Sequence, residues 1–386
     1  MRSSLQGWMR TLLVSSTITQ GVIYIARPMI TYRALELHAT PAIVGVIAAL
    51  YALLPVLFAL SFGRWVGRFG EGKFVILGTA AMAISSFALI FADSIFLLAI
   101  AAALAGTAHL ACMVGGQTMV SLRTPEFQYE RYFGLYTFSA SLGQMVGPLI
   151  AVAVAGSTGI IPKSTTSAFV AALGFSLIAL IPIFKWRNDP PTVVAARRDE
   201  SSLHSAVALI KDPKIFAAIY TSMIISSVGD ILIVFLPLYG TEKEFSALWI
   251  GAIISIRAGA SMLSRFFLGA LSNRFTTKKI LAVSTIISLS SCALMAAAPN
   301  EISLAIIVLI AGLSLGVGQP LTMSLVSQAT EPGDRALAVS ARLTGNRLGQ
   351  FIVPAGVGLL ATSTGTGAVF LALALLLATT FLPPQS

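Results

Sequence analysis

Apolar runs of about 20 residues, separated by short charged clusters, constrain this chain more than any other feature. A helix needs about 20 apolar residues to cross roughly 30 Å of hydrocarbon. Twelve such runs are read at 11–35, 41–63, 74–93, 95–122, 132–157, 165–185, 214–239, 247–271, 280–298, 302–327, 337–362 and 365–383. They are too long and too uniformly apolar for barrel strands, which alternate. Of the 386 residues 56% are hydrophobic and 10% charged, far from the roughly 45–50% and 25% of soluble domains. The expected fold is an all-α integral membrane protein with twelve transmembrane helices.

The net charge of +10 points to topology rather than to nucleic acid. With an even helix count and both termini inside, the inner side holds Arg2, Arg10, Arg64, Arg68, Lys73, Arg123, Arg131, Lys185, Arg187, Arg197, Arg198, Lys211, Lys214, Arg274, Lys278, Lys279 and Arg335. Only Arg33, Lys163 and Lys243 fall outside, which is the positive-inside pattern. The first run follows a basic flank but is long, carries Arg27 and lacks a small-residue cleavage site, so it reads as a retained helix rather than a signal peptide. Cys112 and Cys292 both fall inside runs, and neither a disulfide framework nor a metal site is indicated.

The stretch KWRNDPPTVVAARRDESSLHSAVALIKDPK has the composition of a linker and divides the chain into residues 1–186, a cytoplasmic linker 187–213, and residues 214–386. Adding 206 to a first-half number superimposes the halves without gaps. Gly45 falls on Gly251, Gly63 on Gly269, Arg68 and Phe69 on Arg274 and Phe275, and Lys73 on Lys279. Gly106 falls on Gly312, Gly143 and Gln144 on Gly349 and Gln350, and Pro148 on Pro354. Two parallel six-helix repeats around a central cavity are expected, an arrangement used by transporters.

On these features the chain resembles the major facilitator superfamily over nearly its whole length. The loop GRWVGRFGEGK (63–73) and its copy GALSNRFTTKK (269–279) are similar to that superfamily's loop signature, with Gly67 and Asn273 where the signature has an acid. The resemblance makes Gly63, Arg68, Lys73, Gly269, Arg274 and Lys279 candidates for gating, or for topology markers. Gly134, Gly143, Gly147 and Pro148 in GLYTFSASLGQMVGP resemble the fifth-helix motif of the superfamily's antiporters, which implies an exporter. Gly143 and Gly147 share one helix face and allow close backbone approach, and Pro148 bends the helix. The resemblance implies that this seam lies where the halves rock. It also implies a bacterial inner membrane.

Ionisable groups at membrane depth are functional candidates, because inserting one costs at least roughly 2.5–3.5 kcal/mol. Runs three, six, nine and twelve have none, while Arg27, His109, Asp230, Arg257 and Arg347 lie deep in the others. Asp230 and Arg257 fall at similar depth on consecutive antiparallel helices and are expected to meet, as a structural ion pair or as a switchable one. In the second case Asp230 is the proton-coupling group, freed when substrate competes for its Arg. His109 is the alternative, since a pKa near 6.5 suits proton exchange. Arg27, Arg257 and Arg347 leave the cavity cationic and suit an anionic or zwitterionic substrate. Tyr24, Tyr51, Gln117 and Gln144 add polar and flat contacts, and Asn346, Arg347 and Gln350 converge on one helix face.

The expected function is secondary active export of a small organic anion or amphipathic metabolite or drug, coupled to protons, by alternating access. An importer, symporter or anion exchanger on the same scaffold is the alternative. No GxxxxGK[ST] loop is present for nucleotide hydrolysis. No cofactor, metal or nucleic-acid partner is expected, and the carrier is expected to be a monomer in the bilayer. An intramembrane enzyme would need a nucleophile with its base, paired acids or metal ligands at depth. His109 has no sequence-evident partner and Asp230 stands alone, so an enzyme is not expected.

Overall fold

The computed structural model describes residues 7–125, 128–156, 158–189, 211–330 and 335–382. Most of the expected linker, 190–210, lies outside the described residues. Among the described residues twelve α-helices follow one another: α1 (Gly7–Glu36), α2 (Pro41–Phe69), α3 (Glu71–Ile90), α4 (Ile95–Arg123), α5 (Tyr129–Ala155) and α6 (Thr165–Ile183), then α7 (Pro213–Glu242), α8 (Ala247–Ser272), α9 (Thr277–Met295), α10 (Glu301–Ala329), α11 (Arg335–Thr364) and α12 (Gly367–Thr379). A short 3-10 turn, Phe184–Asn188, extends α6.

Local chemistry sets the helix starts. Hydroxyl or carboxylate side chains of Thr40, Ser94, Ser164, Asp212, Ser246 and Thr276 accept amide hydrogen bonds from the first turns of α2, α4, α6, α7, α8 and α9. Such caps satisfy amides that have no partner inside the helix. Gly156 ends α5 with φ of 66°, a left-handed conformation that glycine adopts without a Cβ clash.

Nine described helices, α2 to α10, are long and apolar enough to cross a membrane. The other three are informative. α12 spans 13 residues, fewer than its expected run. α1 and α11 carry Arg27, and Arg342 with Arg347, so polarity lowers their hydropathy. The two long helices that look least like membrane spans thus supply part of the central site.

The helices form two bundles, α1 to α6 and α7 to α12. Within the first, α1 packs on α5, α6 and α4, and α3 on α4 and α6; in the second, α8 and α9 pack on α10, and α7 on α10 and α11. The bundles meet along α2–α11, α5–α8 and α1–α7.

The repeat offset of 206 recurs in the packing. A Cβ on Gly45 would collide with the carbonyl oxygen of Pro354, and one on its counterpart Gly251 would lie 3.2 Å from that of Pro148. These two contacts make the α2–α11 and α5–α8 seams equivalent. Within the bundles, Gly106 abuts the backbone of Tyr51 and Gly312 that of Arg257. Tyr51 and Arg257 are themselves 206 apart, so their backbones hold equivalent places in the two bundles.

Candidate functional site

The centre of the molecule is an ion pair between the bundles. Arg27 of α1 donates from both terminal nitrogens to the Asp230 carboxylate of α7, with Nη2 to Oδ2 at 2.7 Å and Nη1 to Oδ1 shorter still. Four residues on, Thr31 Oγ1 donates to the carbonyl of Val234 at 3.1 Å. Both pairs are 203 apart in sequence, so α1 and α7 run parallel in one register. The side chains of Arg27 and Asp230 are 6% and 11% exposed, which makes the bidentate geometry necessary: a buried charge without its partner costs several kcal/mol.

The expected partner of Asp230 is Arg257, and the structure corrects this. Depth along the helix is read from sequence, but azimuth decides the partner. Asp230 turns toward α1, while Arg257 has its Nη1 beside Gly229 and its buried Nε without a hydrogen bond. Arg257 is 7% exposed. It is a buried cation whose Nε donor is unused.

Below the pair lies a chain of hydrogen bonds. The Arg27 guanidinium sits over the Tyr51 ring, 4.5 Å from its centroid. Tyr51 Oη is 2.8 Å from His109 Nδ1, His109 Nε2 is 2.9 Å from Gln20 Nε2, and Gln144 Nε2 donates to Gln20 Oε1 at 3.2 Å. Since the Gln20 amide nitrogen donates to Nε2, the neutral ring carries its proton on Nδ1 and donates it to Tyr51. Donation therefore runs one way, from Gln144 through Gln20 and His109 to Tyr51, and leaves the tyrosine hydroxyl proton for a further acceptor.

The second bundle repeats one link of this chain. Gln350 Nε2 donates to Ser226 Oγ at 3.0 Å, and both pairs, 20 with 144 and 226 with 350, are 124 apart. Gln350 Oε1 accepts from Arg347 Nη1 at 3.0 Å, and Arg347 Nη2 reaches Met113 Sδ of α4 at 3.6 Å. Asn346, expected to share that face, turns instead to Ser222 Oγ at 2.9 Å and to Gln319 Oε1 at 3.2 Å. Arg342 Nη2 donates to the same Gln319 oxygen at 3.0 Å. No sequence signal marks this Ser222–Gln319–Asn346–Arg342 cluster as a unit, because its members lie on three helices with no common spacing.

Other candidates fall around this core. Tyr24 is buried and its Cβ would lie 2.8 Å from a Cβ on Gly147; Gln117 is half-buried two turns along α4 from His109, outside the chain above. Gly143 and Gly147 pack on Thr17, Gly21 and Tyr24 of α1, inside their own bundle. Pro148 lies beside them on α5 and offers its carbonyl to Gly251 across the interface. The seam is therefore two-sided, with its glycines packed inside their own bundle and Pro148 at the interface. Around Gly134 and Gly269 nothing lies within 4 Å of a would-be Cβ, so neither supports a close approach. Gly63 falls within α2. Arg68 lies over the ring of Phe69 and Lys279 over that of Phe275, while Lys73 is half-buried and Arg274 exposed.

Toward the end of the molecule where α1 finishes, the bundles close over the site. Ala42 N donates to Thr362 Oγ1 at 3.0 Å and Ala247 N to Gly159 O at 2.8 Å. Between these contacts and Arg27 a cavity of about 20 Å³ remains, lined by Ile30, Thr31, Val44 and Tyr51, with room for about one water.

Two pseudo-symmetric helical bundles joined by a buried ion pair, with further arginines facing the axis, define a membrane transporter. The chain belongs to the Major Facilitator Superfamily, whose model matches residues 12–275 and 246–383. Among curated relatives it is 26% identical over 242 residues to the class B tetracycline resistance protein of Escherichia coli, a match covering 61% of this chain and 57% of that protein. It is 25% identical over 297 residues to the class H tetracycline resistance protein of Pasteurella multocida, covering 74% and 71%. The match thus spans little more than half the length of the class B relative. The fold also matches the crystal structure of the nucleoside transporter NupG, with a TM-score of 0.77 at 14% identity over 98% of this chain and 99% of that one. It matches a bacterial homologue of the human lysosomal transporter Spinster, inward-facing and occupied, with a TM-score of 0.77 at 15% identity over 98% and 97%.

Proposed function

We propose that this chain is a proton-coupled exporter of an amphipathic drug or metabolite that carries both an acidic and a basic group, working by alternating access in a bacterial inner membrane with both termini in the cytoplasm. The observation that carries this reading is the Arg27–Asp230 pair between α1 and α7, with Arg347 reaching Met113 of the other bundle and Arg257 buried beside Gly229. The tetracycline resistance relatives support the direction, and the clustering of Lys and Arg at one end supports the orientation.

The pair determines the sign of coupling. A proton on Asp230 removes the partner of Arg27, and binding free energies are reciprocal. A purely anionic substrate that took Arg27 would release Asp230 to a proton, so anion and proton would travel together. A basic group that took Asp230 would exclude the proton, so the two would exchange. An exporter driven by inward protons needs the second relation. The acidic group of the substrate then meets Arg347 or Arg257, and a neutral polar group meets the hydroxyl of Tyr51, which His109 holds in place.

The alternative reading, symport or exchange of a simple organic anion, follows from the same pair by the first relation. The test is transport driven by a pH gradient in proteoliposomes, with matched zwitterionic, anionic and cationic amphiphiles, for wild type and Asp230→Asn. Counterflow of zwitterion and proton that Asp230→Asn abolishes, with downhill exchange retained, is the expected result. Co-movement of a simple anion with protons sinks the exporter reading, and unchanged pumping by Asp230→Asn removes Asp230 from the coupling.

A further inference from the structure

Buried charge is unevenly shared between the bundles. Among the described residues the ion pairs involve Arg27, Arg33 and Arg123, so Arg257 and Arg265 of α8 have no carboxylate partner. Their counterparts by the offset of 206 are Tyr51 and Ala59, so the first bundle has no cation at either place. Arg257 is 7% exposed and its Nε is buried without a hydrogen bond. Among the described residues its two terminal nitrogens have no hydrogen bond either, which leaves all five N–H donors of the guanidinium unspent. A cation this deeply buried is costly without an anion beside it.

Arg265 is oriented by α10. Pro320 has no amide hydrogen, so the carbonyl of Gly316, four residues before it, lacks its usual helical donor. Arg265 Nε takes that carbonyl at 3.1 Å, and Nη1 donates to Ser141 Oγ of α5 at 3.3 Å. Three of its five N–H donors remain. Gly316 packs on Ser261, a Cβ there lying 2.6 Å from Ser261 Cα, so the Arg265 side chain leans back along α8 by about one turn. That brings its guanidinium to within about a turn of the level of Arg257. Arg265 lies within electrostatic reach of Arg257 and of Tyr24 on α1.

We infer that Arg257 and Arg265 together hold a small inorganic anion, of the halide class, in the resting carrier. A halide accepts hydrogen bonds from any direction, which suits donors that converge from two side chains eight residues apart. The slight exposure of Arg257 leaves a planar oxyanion little room. The adjoining Arg27–Asp230 pair is neutral as a unit, so a single anion removes half of the charge that α8 buries. The site stands whatever group couples protons. On the exporter reading it has a further use: the acidic group of the substrate displaces the anion at Arg257, so chloride competes with acidic amphiphiles and not with analogues that lack the acid.

The test uses the purified full-length chain without substrate or pH gradient, so its result is independent of Asp230 and of the direction of transport. Thermal unfolding is followed while chloride replaces gluconate at constant ionic strength. Wild type is expected to gain stability saturably with chloride, as a ligand of the folded state requires. Arg257→Gln should bind chloride about 10-fold more weakly or not at all, and Arg257→Lys should keep part of the response. In gluconate Arg257→Gln should be no less stable than wild type. An unfolding temperature of wild type that is the same in both anions overturns the inference. So does an equal chloride response in wild type and Arg257→Gln, which would mark a general salt effect. Should Arg257→Gln fail to fold, wild-type crystals grown in bromide decide: anomalous signal between the two guanidinium groups supports the site, and no signal there overturns it. Chloride that weakens an acidic amphiphile and its acid-free analogue equally sinks the exchange of anion for substrate.

Discussion

Tyr51 and Arg257 hold the same place in the two bundles, each with its backbone pressed against a glycine of another helix, Gly106 or Gly312. Their chemistry differs completely. Tyr51 lies under the Arg27 guanidinium and is bonded to His109, whereas Arg257 keeps an unused buried Nε. The repeat thus preserves the places where backbones approach and lets the side chains between them diverge. A symmetric scaffold encloses an asymmetric site.

The glycines provide the hardest test of this comparison. Gly106→Val would drive a side chain into the carbonyl of Tyr51 and Gly312→Val into that of Arg257, and overpacking without room to relax costs about 1–3 kcal/mol or more. Both variants should lose most folded protein, with Gly106→Val worse because its contact is the closer. Size-exclusion profiles of detergent extracts measure this. If only one variant fails, the two positions are not equivalent.

A second contrast separates the two buried arginines. Arg27→Met leaves Asp230 buried without a partner, which costs about 3–5 kcal/mol. Arg257→Met removes a cation whose Nε bonds to nothing, so thermal unfolding should show little change or a gain in stability. Transport should nevertheless fall in Arg257→Met if that arginine receives the acidic group of the substrate. Equal loss of stability in both variants would mean that Arg257 is structural.

Another contrast lies at the end where α1 begins. Trp186, 2% exposed in the 3-10 turn after α6, closes a cluster with Met9, Leu12, Val75 and Met119, and Trp186→Ala opens it at a cost of about 3–5 kcal/mol for a buried tryptophan. A much smaller drop in unfolding temperature would show that this end of the bundle does not need filling.

These contrasts also show how far the sequence can be read. Helix number and the repeat follow from run length and from pairs such as Gly45 with Gly251, because one offset acts along the whole chain. Depth is legible too, since Asp230, Arg27 and Arg257 all lie far from helix ends. Azimuth is not. The partner of Asp230 depends on α1 and α7 meeting near the axis between the bundles, and periodicity within α7 cannot indicate which neighbour a face will meet. The offset does hold a clue: 257 minus 206 is 51, so Arg257 takes the place of a residue beside Arg27, not of one bonded to it. The plug by Trp186 is hidden for a different reason. It sits in a 3-10 turn after α6, where no helical period shows which side chain it will meet.

The smallest predicted effect concerns the two glutamine links. Gln144 with Gln20 and Gln350 with Ser226 are repeat-related hydrogen bonds at 3.2 and 3.0 Å, yet they serve different ends. The first orients the amide that fixes His109 and, through it, Tyr51. The second leaves Gln350 Oε1 for Arg347. Interhelical hydrogen bonds in membranes average about 0.6 kcal/mol, so each double-mutant cycle to Ala should give a coupling of that order in stability. Function should divide them. Gln144→Ala should weaken substrates that use the Tyr51 hydroxyl, and Gln350→Ala should weaken those that use Arg347, so a substrate analogue lacking its acidic group should lose its sensitivity to the second variant and keep it for the first. If both variants shift every analogue alike, the duplicated link serves packing in both bundles, and the division of the site must lie in Arg27, Asp230 and Arg257 alone.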